Sequence, residues 1–136
     1  MRIVIDTNVI ASAVFFGGRP KELLELLLNG RLEAFASTEI VVEYKETLEE
    51  LCARYPNRPE KLPLIAIVSA MKIIEPSSRI AVCRDPDDDK FIECADDAKC
   101  VYIVSGDKDL LSLKKYKDIE IVTVADFMAA WENGFE

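Results

Sequence analysis

The sequence contains no histidine. This absence removes the most common general base, the usual nitrogen ligand of zinc, and every nucleophilic triad that depends on an imidazole. Four cysteines are present, but none form the C-x-x-C pairs typical of metal or redox sites. Any hydrolytic chemistry in this chain therefore has to rely on carboxylates and on metal ions that prefer oxygen ligands.

Positive charge is scarce as well. Seventeen Lys and Arg residues stand against twenty-five Asp and Glu residues, which gives a net charge of −8. Proteins that bind nucleic acid through surface cations are usually basic, because neutralised phosphates drive their affinity. If this chain acts on nucleic acid, we expect metal ions and a local basic patch to offset the repulsion.

The sequence has no apolar run long enough for a membrane span or a secretory signal. The opening run of residues 3–5 stops at Asp6, and the Leu-rich stretch from Leu23 to Leu28 is short and carries Glu25. We therefore expect a soluble, cytoplasmic protein with no membrane partner. In that compartment the cysteines are expected to be buried, reduced thiols. They are Cys52, Cys83, Cys94 and Cys100.

Strand and helix signals alternate along the 136 residues, which we expect to form a single domain over residues 1–136. Strand patterns lie at 2–5, 33–36, 72–75, 101–104 and 120–123. Helix patterns begin at Pro20 and at Ser37 or Thr38, and others lie near 60–70, 88–98, after 107 and at 125–133. This alternation predicts an α/β fold with a central parallel sheet of about five strands and helices on both faces.

Acidic residues follow or precede the strands of this predicted sheet. Asp6 ends the first strand, Asp107 comes one tight turn after the 101–104 run, and Asp88 starts the helix that leads into that run. Ligands of open parallel sheets bind beyond the carboxyl ends of the strands, so the three side chains are expected to converge there. The competing interpretation is structural, since Asp is also common at helix N-caps and turns.

Two further groups of acids are informative. Four carboxylates between Asp85 and Asp89 repel one another more than capping requires, and a hard cation would relieve that repulsion. Within the run, Asp88 shares the apolar stripe of its helix, where a carboxylate is costly without a partner. In the helix after Ser37, Glu43 lies closest to the border of the buried stripe, whereas the other glutamates point towards solvent.

Several segments resemble the PIN domain family, specifically the VapC-like group of toxin components of toxin–antitoxin systems. The resemblance rests on residues 4–9, 37–43, 84–91, 104–111 and 120–127. It implies a metal-dependent endoribonuclease with four acids that are catalytic and bind one or two Mg²⁺ or Mn²⁺ ions. These are Asp6, Glu43, Asp88 and Asp107.

The resemblance also implies supporting roles around these acids. The supporting residues are Thr7, Asn8, Asp85, Asp89, Ser105 and Asp109. Ser105 stands where the family more often has Thr, and Asp89 stands where Asn is frequent. Candidate phosphate contacts are Arg84, Lys90 and Lys108, although Lys90 has the alternative of pairing with a neighbouring acid.

The family further implies an RNA substrate, an antitoxin protein as partner, and a homodimer. Aromatic residues offer an interface, with core or terminal packing as the alternative. They are Phe15, Phe16, Trp131 and Phe135.

Three other functions compete with this interpretation. A phosphoacceptor receiver domain needs an aspartate after the middle strand and a lysine after the last, but Glu75-Pro76 and residues 123–125 stand there. A phosphatase with an Asp-x-Asp nucleophile lacks its second acid, since the sequence has Asn8 at that position. A PIN-like module that only binds RNA or protein remains an alternative, against which the four intact acids argue.

Overall fold

The computed structural model describes residues 1–134, so Phe135 lies outside the described residues. The strands are β1 (Arg2–Ile5), β2 (Glu33–Ala36), β3 (Lys72–Ile73), β4 (Tyr102–Val104), β5 (Lys115–Tyr116) and β6 (Ile119–Val122). The helices are α1 (Thr7–Phe15), α2 (Gly18–Leu28), α3 (Thr38–Arg54), α4 (Leu64–Ser69), α5 (Asp89–Asp97), α6 (Lys108–Leu111) and α7 (Val124–Glu132). A 3₁₀ turn (Pro86–Asp88) precedes α5.

The strands form one sheet in the order β3-β2-β1-β4-β6-β5. Every pairing is parallel except that of β5 with β6, which is antiparallel. The predicted α/β fold with a parallel central sheet is therefore confirmed. The sixth strand was not predicted, because β5 has only two residues and too short a pattern to read.

The core is built around the central strands. Ile3, Val4 and Ile5 of β1 are all fully buried. Because consecutive side chains of a strand point to opposite faces, both faces of β1 are covered. Helix α5 packs near this centre and contacts β1, β2 and β4. The central strands therefore end in a region that is enclosed by helices.

Helix α1 was not predicted from the sequence. It follows β1 after Asp6 alone and buries seven of its nine residues, including Val9, Val14 and Phe15. A helix that is apolar on nearly all sides has no amphipathic stripe, so the usual periodic signal is absent. The consequence for the site is that Asp6 lies at a junction between a strand and a buried helix.

Other local predictions need correction. Helix α2 begins at Gly18, before Pro20, and α4 begins at Leu64 rather than near 60. Strand β3 ends at Ile73, two residues early. Cys94 and Cys100 are buried, but Cys52 is exposed and Cys83 is only partly buried, so that expectation was wrong for two of the four free thiols.

The aromatic residues considered for an interface differ in their surroundings. Phe15 is fully buried, and Trp131 stacks on Phe127 with ring centroids 6.2 Å apart. Phe16 is 52% exposed, and the Arg58 guanidinium lies over its ring. For residues 1–134, the helices are all too short or too polar to cross a lipid bilayer.

Candidate functional site

The site is built where β1 and β4 end side by side. The backbone N–H of Asp6 donates to the carbonyl oxygen of Val104 at 2.9 Å, which joins the two strand ends. The hydroxyl of the fully buried Ser105 donates to Asp6 Oδ2 at 2.7 Å and accepts the backbone N–H of Asp107 at 3.0 Å. Ser105 therefore connects two of the predicted acids across the sheet edge.

The capping interpretation can be tested for each acid. Asp6 and Asp88 occupy the N-cap positions of α1 and α5, but neither side chain makes a cap hydrogen bond. Asp107 does cap α6, because its Oδ1 accepts the backbone N–H of Asp109 at 3.0 Å. Capping thus explains the contact of one carboxylate oxygen of Asp107. It does not explain the positions of the Asp6 and Asp88 carboxylates.

Asp6 and Asp88, whose side chains make no cap hydrogen bond, both have raised pKa values. Burial raises the pKa of Asp6 to about 6, against the effect of the Ser105 hydrogen bond, and the charges of Asp107 and Glu43 add to the rise. Burial also raises the pKa of Asp88 to about 7, with further contributions from Asp107, Asp6 and Asp85. These mutual effects mean that the four predicted acids lie close enough together for their charges to interact.

Asp88 has one more property that capping does not explain. Its side chain is 8% exposed, and within residues 1–134 its Oδ2 is buried without a hydrogen-bond partner. A buried carboxylate oxygen without a partner carries a desolvation cost that native proteins usually avoid.

Glu43 lies at the edge of this cluster and is held from two sides. Its helix is anchored to the end of β1 by Tyr44, whose hydroxyl donates to the carbonyl oxygen of Ile5 at 2.5 Å. The hydroxyl of Thr7 donates to Glu43 Oε2. The ammonium of Lys90 lies 2.7 Å from Glu43 Oε1. Both carboxylate oxygens of Glu43 are therefore engaged.

Lys90 is unusual among the basic residues because its side chain is only 6% exposed. Besides Glu43, its ammonium lies 3.1 Å from Asp87 Oδ1 and donates to the Asp87 carbonyl oxygen at 2.7 Å. Burial lowers the pKa of Lys90, but its bonds to Glu43 and Asp87 outweigh burial and leave that pKa above its ordinary value. The pairing with a neighbouring acid, left open by the sequence, is the arrangement found.

The remaining predicted residues have other surroundings. Asp85 Oδ1 accepts the backbone N–H of Asp87, and Asp109 lies 3.4 Å from the Arg84 guanidinium. Asn8 and Lys108 are exposed. Asp85 therefore serves a local turn, and Arg84 is the exposed cation that reaches an acid of this edge.

Asp89 belongs to a second set of carboxylates, one that the sequence analysis missed. Its Oδ1 accepts the backbone N–H groups of Val82 and Cys83 at 3.1 and 2.9 Å. Glu93 Oε2 accepts the N–H of Ile80 at 3.1 Å, and Asp97 Oδ2 accepts the N–H of Ser77 at 2.6 Å. These acids recur every four residues of α5, so they share one face of the helix. We call the segment they hold, residues 77–83, the strap.

Whether the site suits a metal ion can be judged from its donors. In the described part of the chain, no three acidic or cysteine side chains are grouped closely enough to hold one ion together in this conformation. The donors nevertheless have the right chemistry, because Asp6, Asp88 and Asp107 offer hard carboxylate oxygens and one of these oxygens is buried and unpaired. The residues therefore fit a hard divalent cation such as Mg²⁺ or Mn²⁺.

Comparison with known proteins identifies the family of this chain. The family model described as PIN domain matches residues 2–109, which include all four acids. The chain is also 38% identical over 146 aligned positions to an uncharacterized protein, MJ1680, of Methanocaldococcus jannaschii, and the alignment covers 98% of this chain and 93% of that protein. On this match, the chain belongs to the PIN domain family.

Proposed function

We propose that this protein is a metal-dependent endoribonuclease whose centre is formed by Asp6, Asp88 and Asp107, with Glu43 as the fourth acid. PIN domains are typically nucleases, which supports a hydrolytic role. The observation that carries the proposal is the buried, unpaired Oδ2 of Asp88, whose pKa is raised to about 7 by burial and by the neighbouring acids. A cation provides the missing partner and offsets the repulsion.

In the mechanism, Asp6, Asp88 and Asp107 would hold Mg²⁺ or Mn²⁺ at the carboxyl edge of the sheet. A bound ion supplies Lewis-acid chemistry, which activates water for attack on phosphorus and offsets charge on the leaving oxygen. Ser105 orients two of the ligands, because its hydroxyl binds Asp6 and accepts the N–H of Asp107. No residue needs to form a covalent intermediate, which suits a chain without histidine.

We assign the substrate contacts to cations at the same edge of the sheet. Arg84 and Lys108 are exposed and lie close in sequence to Asp88 and Asp107, so we assign them to phosphate oxygens of the RNA. Lys90 is enclosed and ion-paired, which separates it from these two.

The cellular role follows from the family resemblance alone. A toxin function in the cytoplasm, an antitoxin that covers the site, and a homodimer stay predictions. They are best approached after the activity itself has been measured.

The test is cleavage of a fluorescent panel of structured and single-stranded RNAs by the purified protein with Mg²⁺, Mn²⁺ or EDTA. The variants are Asp6→Asn and Asp88→Asn, and Asp118→Asn is the matched control because Asp118 is exposed and outside the site. We expect cleavage that needs the metal and is lost in both site variants but kept in the control. Cleavage that survives in EDTA or in Asp88→Asn would contradict the mechanism. Metal binding without cleavage of any RNA would favour a module that only binds RNA or protein.

A further inference from the structure

The ion pair between Lys90 and Glu43 is the least expected contact of the site. It joins α5 to α3 across 47 positions of sequence, and Lys90 is the most enclosed of the ion-paired cations in residues 1–134. Burying an ammonium is costly unless its charge and its donors are met. Here they are met by Glu43 Oε1, Asp87 Oδ1 and the Asp87 carbonyl oxygen, at 2.7, 3.1 and 2.7 Å.

Both carboxylate oxygens of Glu43 already have partners. One oxygen faces the Lys90 ammonium and the other accepts the Thr7 hydroxyl, so the charge of Glu43 is met by a cation of the protein. Among residues 1–134, Asp6, Asp88 and Asp107 have no Lys or Arg at ion-pair distance, and Asp88 Oδ2 has no hydrogen-bond partner. The unmet negative charge of the site therefore lies on the aspartates and not on Glu43.

Lys90 also supplies Glu43 with the positive charge that a second divalent ion could supply. Glu43 accepts the hydroxyl of Thr7, the residue that follows Asp6, so its carboxylate lies within electrostatic range of the metal ligands. An ammonium fixed on Glu43 carries its positive charge within that range without occupying a coordination site.

We propose that Lys90 is a permanent cation of the active site, held by Glu43 and Asp87 in place of a second divalent ion, so that the centre binds one metal ion per chain among Asp6, Asp88 and Asp107. Glu43 is then the counter-charge of Lys90 and not a metal ligand. Lys90 is a positioning residue that acts through Glu43. This inference rests on the metal site of the proposed function and adds the number of ions that the site binds.

The experiment counts bound Mn²⁺ on the full chain by electron paramagnetic resonance and calorimetry, without RNA. The variants are Lys90→Met, which removes the charge, and the double variant Lys90→Met/Glu43→Gln, which removes the pair while the net charge stays constant. Lys45→Met is the control, since Lys45 is an exposed lysine on the same helix as Glu43. Circular dichroism in EDTA checks that each variant is folded.

We expect one ion in the wild type, in the control and in the double variant, whose affinity should stay within about threefold because the pair carries no net charge. Lys90→Met leaves Glu43 without its counter-charge and should bind a second ion. If this single variant does not fold without metal, the double variant still tests whether Glu43 is a ligand. Two ions in the wild type, no ion in the wild type, loss of an ion in the double variant, or a folded Lys90→Met that binds only one ion would each overturn the proposal. One bound ion together with no RNA cleavage would support the stoichiometry and contradict the nuclease.

Discussion

Asp88 and Asp89 are neighbours at the start of α5, but the surroundings of their carboxylates differ. Asp88 is 8% exposed and Asp89 is 9% exposed, so burial does not separate them. Asp89 accepts two backbone N–H groups of the strap, whereas Asp88 Oδ2 accepts none. The comparison teaches that an unmet hydrogen bond, and not burial alone, marks an acid as a candidate ligand.

The rest of α5 extends this contrast. Hydrogen bonds, first from the Ser78 hydroxyl and then from the Ser77 N–H, lower the pKa of Asp97, whereas burial raises that of Asp88. Bonds from N–H and O–H groups stabilise the charged form of a carboxylate, and desolvation penalises it. The charged form of Asp97 is thus stabilised, whereas the charged form of Asp88 is penalised.

The largest effect should come from replacing Asp88 and Asp89 in separate variants. Asp88→Asn should lower the rate of RNA cleavage at least about a hundredfold, because a metal ligand is lost. Asp89→Asn keeps an amide oxygen that can accept the N–H groups of Val82 and Cys83, so its rate should stay within about threefold. Single-turnover cleavage at saturating Mg²⁺ measures both. Equal losses of rate in the two variants would mean that Asp88 and Asp89 contribute equally to cleavage.

A second effect concerns pH in the absence of metal. The pKa values of Asp6 and Asp88 are raised to about 6 and about 7, so the folded state binds more protons than the unfolded state above about pH 4. Their contribution to the free energy of unfolding is therefore largest at low pH and is lost as the pH rises through 6 and 7. Asp88→Asn removes part of this dependence.

Urea denaturation in EDTA at pH 5 and pH 8 measures this contribution. Relative to wild type, Asp88→Asn should gain about 1 to 3 kcal/mol of stability at pH 8 compared with pH 5, since a unit of pKa corresponds to about 1.4 kcal/mol. Using the difference between two proteins cancels the titration of acids that do not interact with Asp88. A variant that follows the wild type at both pH values would show that Asp88 titrates normally.

The smallest effect is expected at the far end of α5. Asp97→Ala removes the acceptor of the Ser77 N–H and of the Ser78 hydroxyl, which should cost about 1 kcal/mol of stability at neutral pH. The lowered pKa of Asp97 means that this contribution is present above about pH 4 and is lost as the pH falls further.

The strap provides a local readout for the same variant. Limited proteolysis with mass spectrometry should show faster cutting within residues 77–83 in Asp97→Ala, and not in Asp118→Ala, an exposed aspartate away from the strap. Metal binding should be unchanged, because Asp97 and Asp88 lie at opposite ends of the helix. Loss of metal binding in Asp97→Ala would mean that the strap also shapes the site.

The sequence was informative where a local pattern coincides with burial. The stripe that includes Ile40 and Tyr44 correctly put Glu43 at the border of α3, and the apolar run after Asp88 correctly indicated an inward carboxylate. Both inferences need only the helical period. The position of Asp6 at the end of the first strand was equally local.

The rest depends on contacts between distant segments. Nothing near Lys90 indicates that its partner is Glu43, and the hydrogen bonds of the strap join backbone groups to side chains up to twenty positions away. The acids at 89, 93 and 97 do recur at the helical period, which is a signal that would have identified a shared face. What they bind on that face is decided by the path of the chain and not by local propensity.

The place of β4 in the sheet has a consequence for the order in which the molecule is made. β4 lies between β1 and β6, and Ser105 reaches Asp6 across 99 positions. A nascent chain that has emerged only through α4 carries Asp6 and Glu43 but neither Asp88 nor Asp107. Because long-range parallel pairing is slow to form, the carboxylate centre assembles only after the segment that contains Asp88 and Asp107 has left the ribosome. The topology thus makes completion of the centre depend on synthesis of that segment.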